Sequence, residues 1–199
     1  MIRSTKTKMS TRSARTMRAT ALAAVLAAGA VLIAPTAHAD PDPDAAPVPD
    51  LVCRLDAEVN FDPPLGLTAR NADVYGVIGY HDCRSPSGAA RELTDIDFHV
   101  RGTGRFGAVP APTFSVQGHG KGTWNTGDRG GLDFKGDLKT GSPVPDRKVT
   151  EGPLTGDEIN GLQIPRPRYD KINPRGVAGF DVFGQVCFWK GEKGRCTDY

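Results

Sequence analysis

The segment from Leu51 to Phe61 reads LVCRLDAEVNF and alternates between apolar and polar side chains. Every second position is apolar, namely Leu51, Cys53, Leu55, Ala57, Val59 and Phe61. A period of two is typical of a β-strand that buries one face and exposes the other. The segment therefore predicts a half-buried strand, and the rest of the chain repeats this pattern.

Further strands are predicted downstream, separated by turn signals. Two prolines and a glycine at 62–66 predict a turn, after which residues 74–83 are rich in β-branched and aromatic side chains and are expected to return antiparallel. The remaining predicted strands are at 93–101, 114–116, 122–125, 132–138 and 177–190.

Seven or eight short strands without an amphipathic helix indicate an all-β protein. We expect a single antiparallel β-sandwich, with an open barrel as the alternative. The segment 141–173 is rich in proline and breaks the alternation, so a long loop is expected there. Such a loop is either a candidate binding surface or a cover over one sheet.

The first 39 residues have the features of a secretory signal peptide. They hold six of the 25 Lys and Arg residues and no acid, followed by an apolar run over 21–33 and the tripeptide Ala37-His38-Ala39. Cleavage is expected before Asp40, which predicts a secreted, extracellular protein with no membrane attachment. Retention of the segment as an anchor is the alternative.

The signal peptide also dominates the charge balance. The whole chain has a net charge of +2, but the 160 residues after the signal carry 19 basic and 23 acidic side chains, a net charge of −4. No basic cluster remains that would follow a phosphate backbone, so nucleic acid is not an expected partner.

Residues 40–50 read DPDPDAAPVPD, and they are expected to form an extended arm before a domain at 51–199. A simple spacer is one interpretation, and a tether that becomes ordered on a partner is the other. The residues expected to contact such a partner are Asp40, Pro41, Asp42, Pro43, Asp44, Pro47, Val48 and Pro49.

Four cysteines in an exported chain are expected to form two disulfides, for which three connectivities exist. Cys53 and Cys83 lie symmetrically about the centre of one predicted hairpin, and Cys187 and Cys196 about another. This symmetry favours Cys53–Cys83 and Cys187–Cys196. The rival arrangement has one long-range bridge that closes the termini.

Two glycine patterns need separate interpretation. Gly102-x-Gly104-x-x-Gly107 matches a dinucleotide fingerprint, but prolines at 110 and 112 prevent the helix that this motif requires, so a turn is expected. Alternate glycines at 118, 120 and 122 leave one strand face bare. An aromatic side chain from the opposing sheet that covers this face is the simpler interpretation, and the alternative is a surface platform formed by His119, Lys121 and Trp124.

Patterns for catalysis and metal binding are missing from the sequence. The histidines His81, His99 and His119 lack metal-ligand spacing, and there is no G-x-S-x-G motif. Acidic pairs alternate with apolar residues, which is typical of the solvent side of a sheet. We therefore expect no enzyme activity, no metal and no cofactor.

The order of several cysteine, glycine and aromatic residues resembles that in a group of small exported actinomycete proteins. The residues that carry this resemblance are Cys53, the Pro63-Pro64-Leu65-Gly66 turn, Cys83, Ser85, Gly88, Gly102, Gly104, Gly120, Gly122, Trp124, Asn125 and Phe134. The resemblance implies a disulfide-stapled β-sandwich. The size, the export signal and the arm are also similar to those of the small adaptor subunit of umbrella toxin particles. This implies a large repeat protein and a lectin-like protein as partners, with the arm docked on the large one.

The leading functional hypothesis from the sequence is a secreted, non-catalytic protein-interaction module. Its expected mechanism is strand addition by the arm, residues 40–52, at the edge of a partner's sheet. One alternative is a carbohydrate or cell-envelope binding module that stacks sugars on Trp124, Trp189 or Tyr80. The other is a protease inhibitor that presents the 141–173 loop.

Overall fold

The computed structural model describes residues 46–107, 113–137, 145–171 and 176–199. Within these residues the chain forms eight strands, no α-helix and one short 3-10 helix at Cys196–Asp198. The described residues contain no helix long and apolar enough to cross a membrane. The strands are β1 (Leu51–Leu65), β2 (Arg70–Arg84), β3 (Ile96–Gly107), β4 (Thr113–Thr123), β5 (Arg129–Asp137), β6 (Asp146–Glu151), β7 (Glu158–Tyr169) and β8 (Val177–Trp189).

The strands close into a barrel instead of the preferred sandwich. Each strand pairs antiparallel with its neighbours in the chain, and β8 pairs with β1 from Leu51↔Phe188 to Leu65↔Val177. The all-β class and the number of strands are confirmed. Alternation along a strand is the same in a sandwich and in a barrel, because both bury one face of each strand. The pairing of the first strand with the last decides between them.

Glycines lie within strands in this barrel, where they make room for aromatic rings. Residues 102–107 belong to β3, so the prediction of a turn there is wrong, and β4 runs unbroken through its alternate glycines. A Cβ on Gly102 or Gly118 would lie 2.9 or 2.3 Å from Cζ of Phe134. The ring that covers Gly118 belongs to the adjacent strand β5, in which Phe134 pairs with Gly118, and not to an opposing sheet as expected.

Two strands occupy much of the segment for which a long loop is expected. β7 contains Pro165 and Pro167 and pairs with β8 over its whole length, but within the described residues only Arg147↔Ile159 and Lys148↔Glu158 join it to β6. Proline has no N–H to donate, and it is tolerated where one side of a strand is unpaired. β7 accommodates its prolines because most of its length is such an edge.

Both predicted disulfides are present. Cys53–Cys83 joins β1 to β2, and Cys187–Cys196 joins β8 to the 3-10 helix. Among the described residues there is no free cysteine. The two disulfides are consistent with an extracellular protein.

The barrel interior is filled at one end and hollow at the other. At the filled end, Tyr80, Phe98 and Phe188 are fully buried, and Trp124 and Leu154 from the turns pack against them. Towards the opposite end several inward side chains are smaller or only half-buried, as Val59 and Val182 are. This packing difference creates the cavity that forms the candidate site.

Candidate ligand site inside the barrel

A cavity of about 360 Å³ occupies the hollow end of the barrel. Of the eighteen described residues that line it, sixteen are apolar, and the exceptions are Arg147 and Gln163. An eight-stranded barrel is wide enough either to be filled by its own side chains or to hold one small ligand. The cavity volume lies in the lower part of the range of small-molecule sites, roughly 300 to 1,000 Å³.

Four phenylalanine rings form the outer part of the cavity wall. Phe61 packs against Phe106 and Phe180 at centroid distances of 5.1 and 5.7 Å, and Phe106 packs against Phe114 at 5.6 Å. Phe114 and Phe180 are only partly buried. Apolar surface at this end of the cavity is therefore exposed to solvent.

Arg147 supplies the charged group of the cavity. The burial pattern of β6 alternates, so that Arg147 and Val149 point inward while Asp146 and Lys148 point outward. Arg147 is 5% exposed, and its Nη1 donates a hydrogen bond of 3.2 Å to Oη of Tyr80. Its Nε is buried without a hydrogen-bond partner. The guanidinium is thus desolvated and only partly satisfied.

Tyr80 is held rigidly beside Arg147. Its ring makes edge-to-face contacts with Phe98 and Phe188 at centroid distances of 5.9 and 5.1 Å. Burial raises the pKa of the Tyr80 phenol, and this effect outweighs the opposing effect of the Arg147 cation. The phenol therefore keeps its proton, and it can donate one hydrogen bond while it accepts another from Arg147.

The arrangement combines an apolar chamber with one fixed charged donor. Arg147 lines the chamber and has an unused N–H group, and its hydrogen bond to the fully buried Tyr80 holds it in place. An apolar molecule with one acceptor group fits this chemistry, since its body replaces water in the chamber.

The expected surface platform does not form. His119 and Lys121 are exposed on the outer face of β4, whereas Trp124 is 1% exposed and contacts Phe188 in the interior at a centroid distance of 6.3 Å. His119 and Lys121 therefore lie on the outer face of the barrel wall, and Trp124 lies on the inner face.

The aromatic residues expected to stack on sugars are also buried. Tyr80, Trp124 and Trp189 are 0%, 1% and 1% exposed. Trp189 donates a 2.6 Å hydrogen bond from Nε1 to Oδ1 of Asn160 and packs on Tyr199. None of the three rings offers a surface to a glycan.

The last part of the arm packs on the barrel. Tyr199 donates a hydrogen bond from Oη to the Pro47 carbonyl at 3.0 Å, and the Ser87 amide donates to the Pro49 carbonyl at 3.3 Å, whereas Val48 is exposed. The predicted signal peptide at 1–39 and the arm residues Asp40, Pro41, Asp42, Pro43 and Asp44 lie outside the described residues. Partner binding by the arm stays a prediction.

Sequence reasoning missed Arg147 and the cavity. The available signal is the frame of β6, in which Arg147 shares the inward parity of Val149. In the sequence, an arginine between Asp146 and Lys148 suggests a charged, exposed surface. The burial pattern of β6 shows that Arg147 lies inside the barrel instead. Within the described part of the chain, no group of three or more His, Cys, Asp or Glu side chains could hold a metal ion.

No protein-family model, curated protein or solved structure matches this chain.

Proposed function

We propose that this protein is a secreted, non-catalytic binding protein that holds one small apolar molecule inside its barrel. The main support for this proposal is the cavity of about 360 Å³, which has sixteen apolar residues among its described lining. A chamber of this size leaves apolar surface in contact with water, and filling it with an apolar molecule recovers roughly 25 cal/mol for each Å² removed from water.

The free edge of β7 supports interior binding over recruitment of a partner strand by this barrel. Beyond Ile159, the described part of β7 pairs with β8 only. This edge contains Pro165 and Pro167, with Arg166 between them. Proline and charged side chains on an edge oppose the addition of another strand.

The test uses a neutral probe, N-phenyl-1-naphthylamine, whose fluorescence increases in apolar sites. We expect saturable, one-to-one binding to the mature protein. Val182→Trp places a large ring on the cavity wall and should weaken probe binding at least tenfold. Leu162→Trp is the matched control, because Leu162 lies on the adjacent strand and is 59% exposed.

Circular dichroism and thermal melts of both variants verify that each variant folds. A wild-type protein that does not bind the probe would overturn the proposal. Equal probe affinity for Val182→Trp and wild type would overturn it as well, since the cavity would then not be the site.

A further inference from the structure

We infer that the molecule bound in the cavity is an aliphatic carboxylic acid whose carboxylate binds Arg147. This inference rests on the proposed function and specifies the chemical class of its ligand.

The first argument is the missing counter-ion of Arg147. The side chain is 95% buried, and none of the ion pairs between described residues includes it. A buried charge is costly unless it is paired and hydrogen-bonded. A ligand carboxylate would supply both the opposite charge and the acceptor that Nε lacks.

The second argument is the position of Tyr80. Its hydroxyl oxygen lies 3.2 Å from Nη1 of Arg147, and its phenol keeps its proton because burial raises its pKa. Tyr80 is 0% exposed and is not among the described residues that line the cavity, so it acts through Arg147. Its hydroxyl oxygen fixes the guanidinium beside the chamber and leaves Nε for the carboxylate.

The surroundings favour a singly charged acid over a phosphate. Arg147 and Tyr80 are bordered by Phe98, Phe134 and Phe188, and Arg147 is the only cation among the described lining residues. One guanidinium neutralises one carboxylate. A phosphate carries about 1.5 to 2 negative charges at neutral pH and would remain undercompensated here.

The apolar remainder of the cavity determines which chemical group can form the rest of the ligand. Apart from Gln163, the lining beyond Arg147 is apolar and has no second charged group within the described residues. A linear or branched hydrocarbon chain therefore fits the chamber better than a sugar or a peptide, whose hydroxyl or amide groups would remain unpaired.

The test compares ligands that share a chain and differ in the head group. Decanoate, decanol and methyl decanoate are titrated against the complex of the mature protein with N-phenyl-1-naphthylamine. On the wild-type protein we expect decanoate to displace the probe at a concentration at least tenfold lower than decanol or the ester does. This comparison does not depend on any variant being able to fold.

The variants then locate the head group. Arg147→Met should weaken decanoate binding at least tenfold and leave the affinity for decanol within about twofold, and Tyr80→Phe should reduce decanoate binding by a smaller factor. Lys148→Met removes a cation from the exposed face of the same strand and should change neither affinity.

The two proposals fail in different ways. Equal displacement by the three ligands, or an unchanged decanoate affinity in Arg147→Met, would overturn the carboxylate inference while binding of the neutral probe upholds the barrel as an apolar binding site. Failure of the probe and of all three ligands to bind would overturn the proposed function itself.

Discussion

Arg147 and Tyr80 are hydrogen-bonded at 3.2 Å although 67 positions separate them in the chain. Arg147 belongs to β6 and Tyr80 to β2. The described barrel has eight strands, and these two are four strands apart in either direction around it. The bond therefore crosses the barrel from one side to the other. Arg147 lines the cavity, whereas Tyr80 is buried in the filled end.

Replacing Arg147 with methionine should stabilise the ligand-free protein. The buried cation has an unpartnered Nε, and replacement of buried ion pairs by apolar side chains of similar volume is often neutral or stabilising by about 1 to 4 kcal/mol. We expect Arg147→Met to raise the free energy of unfolding in urea by about 1 to 3 kcal/mol. Lys148→Met should change it by less than about 0.5 kcal/mol, because Lys148 is exposed. A large loss of stability in Arg147→Met would show that Arg147 has a structural role instead.

Alanine at position 118 should destabilise the barrel. Its Cβ would lie 2.3 Å from Cζ of Phe134 and 2.4 Å from the backbone oxygen of Arg101, and the backbone atom cannot rotate away. Overpacking of this kind costs about 1 to 3 kcal/mol. Gly66→Ala is the control, because the nearest atom to its Cβ would be Nη2 of Arg70 at 3.9 Å. Thermal melts that show equal effects of the two substitutions would contradict this account.

The buried carboxyl group of Asp157 should make stability fall as pH rises from about 4 to about 6. Asp157 is 1% exposed, and burial, with a further contribution from Asp50, raises its pKa from 3.8 to about 6 despite the opposing charge of Lys190. The native state then binds more protons than the unfolded state in this interval, so its stabilising contribution is complete below pH 4 and is lost above pH 6. The effect amounts to at most about 3 kcal/mol, at 1.36 kcal/mol per pKa unit.

Asp157→Asn isolates this effect. Asp95 and Glu158 have lowered pKa values, caused first by hydrogen bonds from Thr94 and Lys193, and they act in the opposite direction. These contributions are the same in wild type and in Asp157→Asn, so they cancel in the difference between the two free energies of unfolding. We expect the stability of the variant relative to wild type to increase as pH rises from 4 to 7. Urea unfolding midpoints of both proteins at several pH values in this range measure the change. A difference that does not vary with pH would refute the assignment.

The two disulfides should contribute unequally to stability. They close segments of 30 and 9 residues, for which the chain-entropy model gives about 3.6 and 2.6 kcal/mol. We expect the double substitution of Cys53 and Cys83 by alanine to cost about 1 kcal/mol more than that of Cys187 and Cys196. Urea unfolding of the two double variants under oxidising conditions measures the difference, and the reverse order would exclude loop length as the dominant cause.

Local patterns in the sequence predict much of the wall of this barrel. The alternation from Leu51 to Phe61 matches the inward and outward positions of β1, and the symmetry of Cys53 and Cys83 about one hairpin gives the correct bridge. The first signal lies within one strand, and the second lies within two strands that follow each other in the chain. Barrel closure depends on β1 meeting β8, a contact between distant segments that no local pattern records.

The site is harder to predict for the same reason. Pro165 and Pro167 indicate a loop because the sequence does not show that one side of β7 is unpaired. Trp124 suggests a surface platform because the alternate glycines before it leave one strand face bare in the sequence, and the sequence does not show that Phe134 covers Gly118. A charged residue usually points outward, so the inward position of Arg147 becomes evident only when the barrel is closed around it.

The sparse pairing between β6 and β7 has a kinetic consequence. Within the described residues, two residue pairs join these strands, and neither strand carries a disulfide. Local opening begins where backbone pairing and packing are weakest, so amide hydrogens along β6 and β7 should exchange with solvent before those of β1, β2 and β8. Such an opening exposes the chamber next to Arg147 and Pro165 while the cross-linked strands stay in place. This local event gives a bound molecule a second exit beside the solvent-exposed end at Phe114 and Phe180, and the globally folded state persists through each exchange.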